Sequence, residues 1–201
     1  MLSRYIFTIA IFHGLISLCM SYFPQLTLYS GHNYDGDRVT FSTKRSSLTP
    51  LEEEFFRSAR SYCVTGWWRG YENANFVAGS SNPFNANNVS GISCWRNGDK
   101  ITKSLRFMGP SDTSTSAISA YNGVPNSGDH YSGIEVIVLA TEYEASFDFA
   151  PSGLLITGMS NWTAFYERNF TGPSTCFIPT SEIYTVSLGT FQVLSVRLGC
   201  N

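Results

Sequence analysis

The chain has 201 residues, of which 43% are hydrophobic and 15% aromatic. This apolar content is enough for one domain of ordinary size or two small ones, and it excludes a disordered chain. Thirteen basic and fifteen acidic side chains give a net charge of -2, so the sequence carries no electrostatic signal for nucleic acid or an anionic membrane as the main partner.

Residues 1–21 are typical of a secretory signal peptide. Arg4 precedes an apolar run over residues 6–19, and the small residues Cys19 and Ser21 stand two apart at its end. The run is short for a membrane span, so cleavage after Ser21 is predicted, with a membrane anchor as the alternative. No later stretch approaches the ~20 apolar residues of a transmembrane segment. We therefore expect a secreted, extracellular protein.

A single short helix is predicted at "TPLEEEFF". Thr49 suits the N-cap, Pro50 the first helical position, and Glu52 the third position of a capping box. Short strands and turns are expected in most of the remaining chain.

One pattern occurs four times: an aromatic residue, four residues, a second aromatic, one residue, then glycine. Tyr29–Gly36 and Phe165–Gly172 match it fully. The second copy pairs Tyr71 with Phe76 but has Ala78 in place of the glycine, and the third, Tyr121–Gly133, has five extra residues between its aromatics. We predict that each copy is a β-hairpin closed by its two aromatic rings, with the glycine at positive φ.

Further similarities divide the chain into halves with two copies each. The segments "YCVTGWW" and "LLITGMSNW" come before the second and fourth copies, and "KSLRF" and "LSVRL" come after them. These landmarks predict a first domain over residues 22–109, a Ser/Thr-rich linker over 110–114, and a second domain over 115–201.

With these four hairpins, the mature chain resembles the βγ-crystallin superfamily. The resemblance implies an all-β fold of two βγ-crystallin-like Greek-key β-sandwich domains, each with about eight strands. It also implies a non-enzymatic protein, and the signal peptide favours a structural or extracellular-matrix role over that of a cytosolic lens protein.

Removal of residues 1–21 leaves four cysteines, which in an oxidising compartment predict two disulfides. Three pairings are open. Short loop closure and the division into halves favour Cys63 with Cys94 and Cys176 with Cys200. A zinc site is disfavoured because no two of these cysteines have CxxC spacing.

Many βγ-crystallin relatives bind calcium through two Asn/Asp residues, two spacers, then Ser/Thr and Ser. The matching stretch of the first copy is "STKRSS", residues 42–47, which keeps the terminal serines but lacks the amide or acidic pair. The other three copies match less well. We therefore expect no cofactor and at most weak calcium binding, with Ser46 as the candidate ligand. A calcium-binding module with a weakened site is an alternative function.

Three N-glycosylation sequons, at Asn88, Asn161 and Asn169, agree with export. The longer third hairpin predicts an exposed binding loop with Tyr121, Pro125, His130 and Tyr131 as candidates. That loop is the basis for an alternative function as a secreted binding effector, such as a toxin, an antimicrobial factor or a protease inhibitor. Its expected partner is an extracellular protein or a glycan.

Catalysis is disfavoured. The sequence has no G-x-S-x-G motif, and the two histidines of the mature chain, His32 and His130, fall in hairpin links where we expect them to face solvent. The acidic cluster Glu52–Glu54 is typical of a solvated helix start. Trp67 and Trp68 could stack on a sugar, but adjacent strand residues point to opposite faces, so at most one is expected to be exposed.

Overall fold

The computed structural model describes residues 23–79, 84–96, 100–123 and 128–200. The predicted signal peptide lies outside these residues. In the described part of the chain, no helix has the length and apolar character that crossing a membrane requires.

The first half of the chain forms an antiparallel sheet and one helix. Its elements are β1 (Gln25–Tyr29), β2 (Arg38–Phe41), α1 (Pro50–Ser58), β3 (Ser61–Tyr71), β4 (Asn85–Arg96) and β5 (Ser104–Phe107). The strand order is β2-β1-β3-β4, and β5 pairs with β3.

The second half forms two four-stranded antiparallel sheets. Its strands are β6 (Ala117–Tyr121), β7 (Glu135–Leu139), β8 (Glu144–Ser146), β9 (Gly153–Thr157), β10 (Trp162–Phe165), β11 (Ser174–Phe177), β12 (Ile183–Ser187) and β13 (Ser195–Leu198). One sheet has the order β12-β9-β6-β7 and the other β11-β10-β13-β8. The third strand of each Greek key, β8 or β12, therefore joins the sheet built by the other key.

The second half has the expected eight strands, whereas the first half has five among its described residues. The difference arises because β3 and β4 are long, with 11 and 12 residues, and each takes the place of two of the expected strands. Ser61–Thr65 of β3 pairs with β1, while Trp68–Tyr71 pairs with β5. The remaining expected strand is reduced to one isolated β-bridge, formed between Arg45 and Leu105.

The helix prediction is confirmed. The hydroxyl of Thr49 accepts a hydrogen bond from the Glu52 amide, and the Glu52 carboxylate accepts one from the Thr49 amide, which completes the capping box. Phe56 is the fully buried residue of α1 and contacts Phe41 and Phe84, so the helix covers one end of the first core.

All four aromatic hairpins form. In each, the two rings pack edge to face, with ring centroids 6.4 Å apart for Tyr29–Tyr34, 5.9 Å for Tyr71–Phe76, 5.7 Å for Tyr121–Tyr131 and 6.1 Å for Phe165–Phe170. The glycines of the first, third and fourth copies have positive φ, as predicted. The second aromatic itself has φ near +61° in three copies, at Tyr34, Phe76 and Phe170.

A serine from later in the chain forms hydrogen bonds to each hairpin. In the second copy, the Ser104 hydroxyl donates to the Asn73 carbonyl at 2.6 Å and accepts from the Phe76 amide at 3.0 Å. Ser61 and Ser195 make the same pair of bonds in the first and fourth copies. In the longer third copy, Ser152 donates to the His130 carbonyl at 2.9 Å.

The disulfide pairs match the favoured pairing. Cys63 and Cys94 lie opposite each other on β3 and β4, with their Cα atoms 4.0 Å apart. Cys176 on β11 pairs with Cys200 at a Cα separation of 5.5 Å. Each disulfide thus lies within one half of the chain.

Each half has its own hydrophobic core. The first core surrounds Trp68 and the second surrounds Trp162, and both indoles are fully buried. The division into domains at residues 110–114 stays a prediction, and it agrees with these separate cores.

Replacing Ser104 with alanine should destabilise the fold by about 1–3 kcal/mol, because two hydrogen bonds of about 0.5–1.5 kcal/mol each are lost from the second hairpin. Urea unfolding of S104A measures the change. S187A is the matched control, since Ser187 is exposed at the end of β12. Equal midpoints for the two variants would contradict the role given to the serine.

Candidate functional site at the boundary between the halves

A third hydrophobic cluster joins the two halves. Trp67 and Met108 from the first half pack with Tyr121 and Leu155 from the second. Tyr131 and Ile183 lie at the edge of this cluster. We call the contacts between the halves the boundary, and its apolar centre is this cluster.

Arg106 on β5 is the main polar residue of the boundary and is only 1% exposed. One guanidinium nitrogen donates to the Gly133 carbonyl at 2.8 Å, and another donates to the Tyr131 carbonyl at 2.5 Å. Its Nε donates to the Tyr71 hydroxyl at 3.1 Å. The cation of the first half is therefore held by backbone oxygens of the second half.

Three aromatic rings surround the same guanidinium. Its central carbon lies 4.8–5.1 Å from the ring centroids of Tyr71, Phe76 and Tyr121. Such contacts stabilise a cation away from water. They come from the second and third hairpins, which also bond directly, since the Gly133 amide donates to the Phe76 carbonyl at 2.8 Å.

Glu135 is one of two acidic residues that form ion pairs across the boundary. One carboxylate oxygen accepts from the Tyr121 hydroxyl at 2.7 Å and from the Gly109 amide at 2.9 Å. The other forms an ion pair with Lys44, whose ammonium also donates to the Gly109 carbonyl at 3.0 Å. The side chain of Glu135 is 9% exposed and that of Lys44 is 25% exposed.

A second ion pair crosses the boundary between Arg69 of β3 and Asp129 of the third hairpin. The two atoms lie 2.8 Å apart, and the side chains are 11% and 10% exposed. The Tyr71 hydroxyl donates to the Tyr131 carbonyl at 2.7 Å in the same region. An ion pair and a tyrosine hydrogen bond thus connect the two halves in this region.

Burial shifts several pKa values at the boundary. Desolvation raises the pKa of Tyr71 to about 12, although the nearby Arg106 acts in the opposite direction. Burial also raises the pKa of Tyr121 well above its usual value, and the Glu135 carboxylate adds to the effect. The pKa of Lys44 is lowered by desolvation, which outweighs the attraction of Glu135.

The third hairpin was predicted to be an exposed binding loop. That prediction is wrong for Tyr121. That residue is fully buried, while His130 and Tyr131 are half-buried. Pro125 lies outside the described residues. The physical reason is that the longer hairpin folds against the first half, where Asp129 meets Arg69 and the Tyr131 carbonyl meets Arg106.

The two tryptophans point to opposite faces of β3, as predicted, but both are buried. Trp68 lies in the first core, and Trp67 lies against the second half, with its ring centroid 5.3 Å from that of Tyr131. Trp68 is therefore closed to a sugar, and Trp67 is only 6% exposed. His32 is exposed, as expected, whereas His130 is half-buried.

Ser46 is exposed, and its carbonyl accepts a hydrogen bond from the Asn75 amide at 2.7 Å. Within the described ranges there is no group of three or more His, Cys, Asp or Glu residues that could hold a metal. Lys44, two residues before Ser46, is engaged with Glu135. Weak calcium binding at Ser46 stays a prediction.

The sequons differ in their surroundings. Asn161 and Asn169 are exposed, at a turn before β10 and in the fourth hairpin. Asn88 is half-buried on β4, and its amide donates to the Ser93 hydroxyl. Glycan attachment at the three sites stays a prediction.

Two clefts open on either side of the boundary. One, of about 530 Å³, lies between the second and third hairpins and has Arg106 and Glu135 in its wall. The other, of about 560 Å³, lies between β4 and β12, and we call it the amide cleft. Its lining residues are Trp67, Arg69, Asn85, Asn87, Asn88, Tyr131, Ser181, Ile183 and Thr185.

The raised tyrosine pKa values predict a loss of stability in alkaline solution. A group whose folded pKa lies above its unfolded pKa binds more protons when folded, so stability falls as pH rises through the window between them. For Tyr71 this window is pH 10 to about 12, and its full effect is about 3 kcal/mol. Lys44, with a lowered pKa, acts in the opposite direction below pH 10.5.

Urea unfolding from pH 9 to pH 12 should therefore show a steep decline above pH 10 in the wild type. The decline should be shallower in Y71F and Y121F, while Y166F, which removes a partly exposed hydroxyl, is the matched control. Identical slopes in all four proteins would contradict the assignment.

Because Lys44 and Glu135 form an ion pair, substitutions at the two positions should have non-additive effects on the free energy of unfolding. E135Q keeps an acceptor for Tyr121 and Gly109 but leaves the partly buried ammonium without a counter-charge, so we expect a loss of about 1–3 kcal/mol. Adding K44M to E135Q should recover most of this loss. The exposed pair Arg57–Glu54 is the control, and E54Q should change stability by less than about 0.5 kcal/mol. Additive losses from K44M and E135Q would refute the coupling.

Neither a protein-family model nor a curated protein sequence matches the chain. Among solved structures, Geodin, a beta-gamma crystallin from Geodia cydonium, is similar with a TM-score of 0.62 and 18% identity, covering 89% of this chain and 100% of Geodin. The fifth crystallin domain of the non-lens protein Absent in melanoma 1 aligns with a TM-score of 0.32 and 23% identity, covering 44% of this chain and 92% of that domain.

Protein S, solved in complex with calcium, aligns with a TM-score of 0.29 and 13% identity, covering 87% of this chain and 99% of protein S. Of these three structures, Geodin alone has a TM-score above 0.5 and bears on the fold. Its alignment covers 89% of the chain and therefore includes residues of both halves. The chain therefore has a βγ-crystallin-like fold.

Proposed function

We propose that the protein is a secreted, non-enzymatic βγ-crystallin-like protein with a structural or extracellular-matrix role. The main observation behind the proposal is that the buried ionisable groups at the boundary are all engaged in contacts within the protein. Arg106, Glu135 and Lys44 have their charges and donors committed to contacts that hold the halves together. Similarity to a crystallin supports the same conclusion.

Secretion is supported by the cysteines and by the amino-terminal sequence. Two cysteine pairs lie at disulfide distance, and such bonds persist in oxidising compartments. Residues 1–21 have the charge, apolar run and small residues of a signal peptide. A durable extracellular protein benefits from disulfides within each half, because they constrain the unfolded chain.

The proposal predicts export and durability together. Expressed in full in a secreting eukaryotic cell line, the chain should reach the medium with residues 1–21 removed and all four remaining cysteines oxidised. Mass spectrometry after alkylation measures both properties. The folded product should resist trypsin, and reduction with dithiothreitol should make it sensitive. Retention in the cell or free thiols in the exported protein would contradict secretion.

The matrix role is tested separately from secretion, by the location of the protein in tissue. In tissue that expresses the gene, an antibody to the protein should label the extracellular space, and the protein should fractionate with insoluble matrix. A freely soluble protein found only in body fluid would contradict the matrix role while leaving secretion intact.

A secreted binding protein is the second candidate, and the amide cleft is the observation that favours it. The described ends of the third hairpin no longer support this candidate, because Tyr121 is buried and Tyr131 is half-buried against the first half.

A further inference from the structure

The amide cleft lies where an edge strand of each half comes to the boundary. β4 ends the strand order of the first sheet, and β12 ends that of its own sheet. On the first wall, Asn87 lies opposite Trp67 and Asn85 lies opposite Arg69 in the β3–β4 pairing. Thr185 of β12 belongs to the other wall. The cleft therefore exists only when the two halves are joined.

The one charge in the lining of the cleft is balanced by a neighbouring carboxylate. Arg69 is the single charged residue among its nine lining residues, and its guanidinium is already paired with Asp129 at 2.8 Å. A phosphate or carboxylate ligand would need a cation that is free to pair with it. The chemistry of the lining favours a neutral ligand.

The polar groups of the lining supply both donors and acceptors. The Asn85 side-chain oxygen accepts from the Trp67 indole at 2.6 Å, which leaves its NH₂ group as a donor. Asn87 is exposed and offers an amide oxygen and an NH₂ side by side. An amide can therefore pair with two neighbouring hydroxyl groups, each of which also donates and accepts.

One donor in this wall has no acceptor. The Nε–H of Arg69 is buried and has no hydrogen-bond partner among the described residues. Because this atom is buried, a ligand in the cleft meets the exposed amides of the lining rather than the Arg69 Nε. The guanidinium pairs with Asp129 and lies 5.9 and 5.7 Å from the ring centroids of Tyr71 and Tyr131.

The size of the cleft also suits a small ligand. Its volume of about 560 Å³ lies within the range of about 300–1,000 Å³ that is usual for small-molecule sites. The apolar lining residues are Trp67, Tyr131 and Ile183, and the remaining lining residues are polar. This combination fits a compact molecule that has many hydroxyl groups on a carbon frame.

We propose that the amide cleft binds a neutral saccharide. Asn85 and Asn87 pair with its hydroxyl groups, and Trp67, Tyr131 and Ile183 supply the apolar contact. This inference goes beyond a structural role and does not depend on it.

The saccharide has two sources that the chemistry alone does not separate. Asn88, which lines the same cleft, begins a sequon, so a glycan attached there would start at the cleft itself. The other source is a glycan of a different molecule. Both use the same lining residues.

The test uses the secreted full chain after enzymatic removal of N-linked glycans, applied to an array of neutral, sulfated and sialylated oligosaccharides of two to four units. Neutral members should bind. N87A should weaken their binding at least about ten-fold, because it removes one bidentate amide, whereas N33A, which truncates an exposed asparagine in the first hairpin, should leave it unchanged. Circular dichroism confirms that both variants are folded.

Two further arms separate the sources. If the glycan on Asn88 fills the cleft, the untreated protein will bind the array poorly, and N88Q will restore binding while N161Q will not. If the ligand belongs to another molecule, the untreated protein and both variants will bind alike. The proposal is overturned if the deglycosylated protein binds no neutral oligosaccharide, binds only acidic ones, or binds neutral ones equally in N87A.

Discussion

The arrangement of the two halves depends on one buried cation. A guanidinium removed from water is costly unless its donors are paired and its charge is stabilised nearby. Arg106 meets this requirement with two backbone carbonyls, one tyrosine hydroxyl and three aromatic rings. Both carbonyls belong to the half opposite its own strand. Separating the halves would therefore expose the cluster and also remove acceptors from the cation, so the boundary is specific as well as apolar.

The two irregular copies of the hairpin are the ones that build this boundary. The first and fourth copies follow the repeat fully and lie away from it. The second copy has Ala78 in place of the glycine, and its Phe76 carbonyl accepts from Gly133. The third copy has five extra residues, and from it come Asp129 and the Tyr131 carbonyl. Departures from the repeat thus coincide with the surface on which one half recognises the other.

Local signals in the sequence were sufficient for much of the fold. A capping box predicts α1 because its hydrogen bonds lie within four residues, and each hairpin is predicted by aromatics and a glycine that are close in the chain. The pairing of the cysteines followed from short loop closure. In contrast, β3 and β4 are longer than expected because they pair with segments that are distant in the chain. The repeated motifs of the sequence do not specify that pairing.

The boundary was the least predictable part. Arg106 and Arg197 stand in the same Ser-x-Arg pattern, and each lies over the aromatic rings of its hairpin. One is buried by the other half, while the other has a side chain 33% exposed and pairs with Glu144. Their neighbours in sequence do not distinguish them. The amide cleft was missed for the same reason, since its walls come from strands about a hundred residues apart.

The placement of the disulfides has a mechanical consequence. Neither disulfide in the described residues joins the halves, and each closes a segment inside one half, with sequence separations of 31 and 24 residues. Under a pulling force applied to the two chain ends, these closed segments stay out of the extensible length, and no disulfide among the described residues opposes separation of the halves.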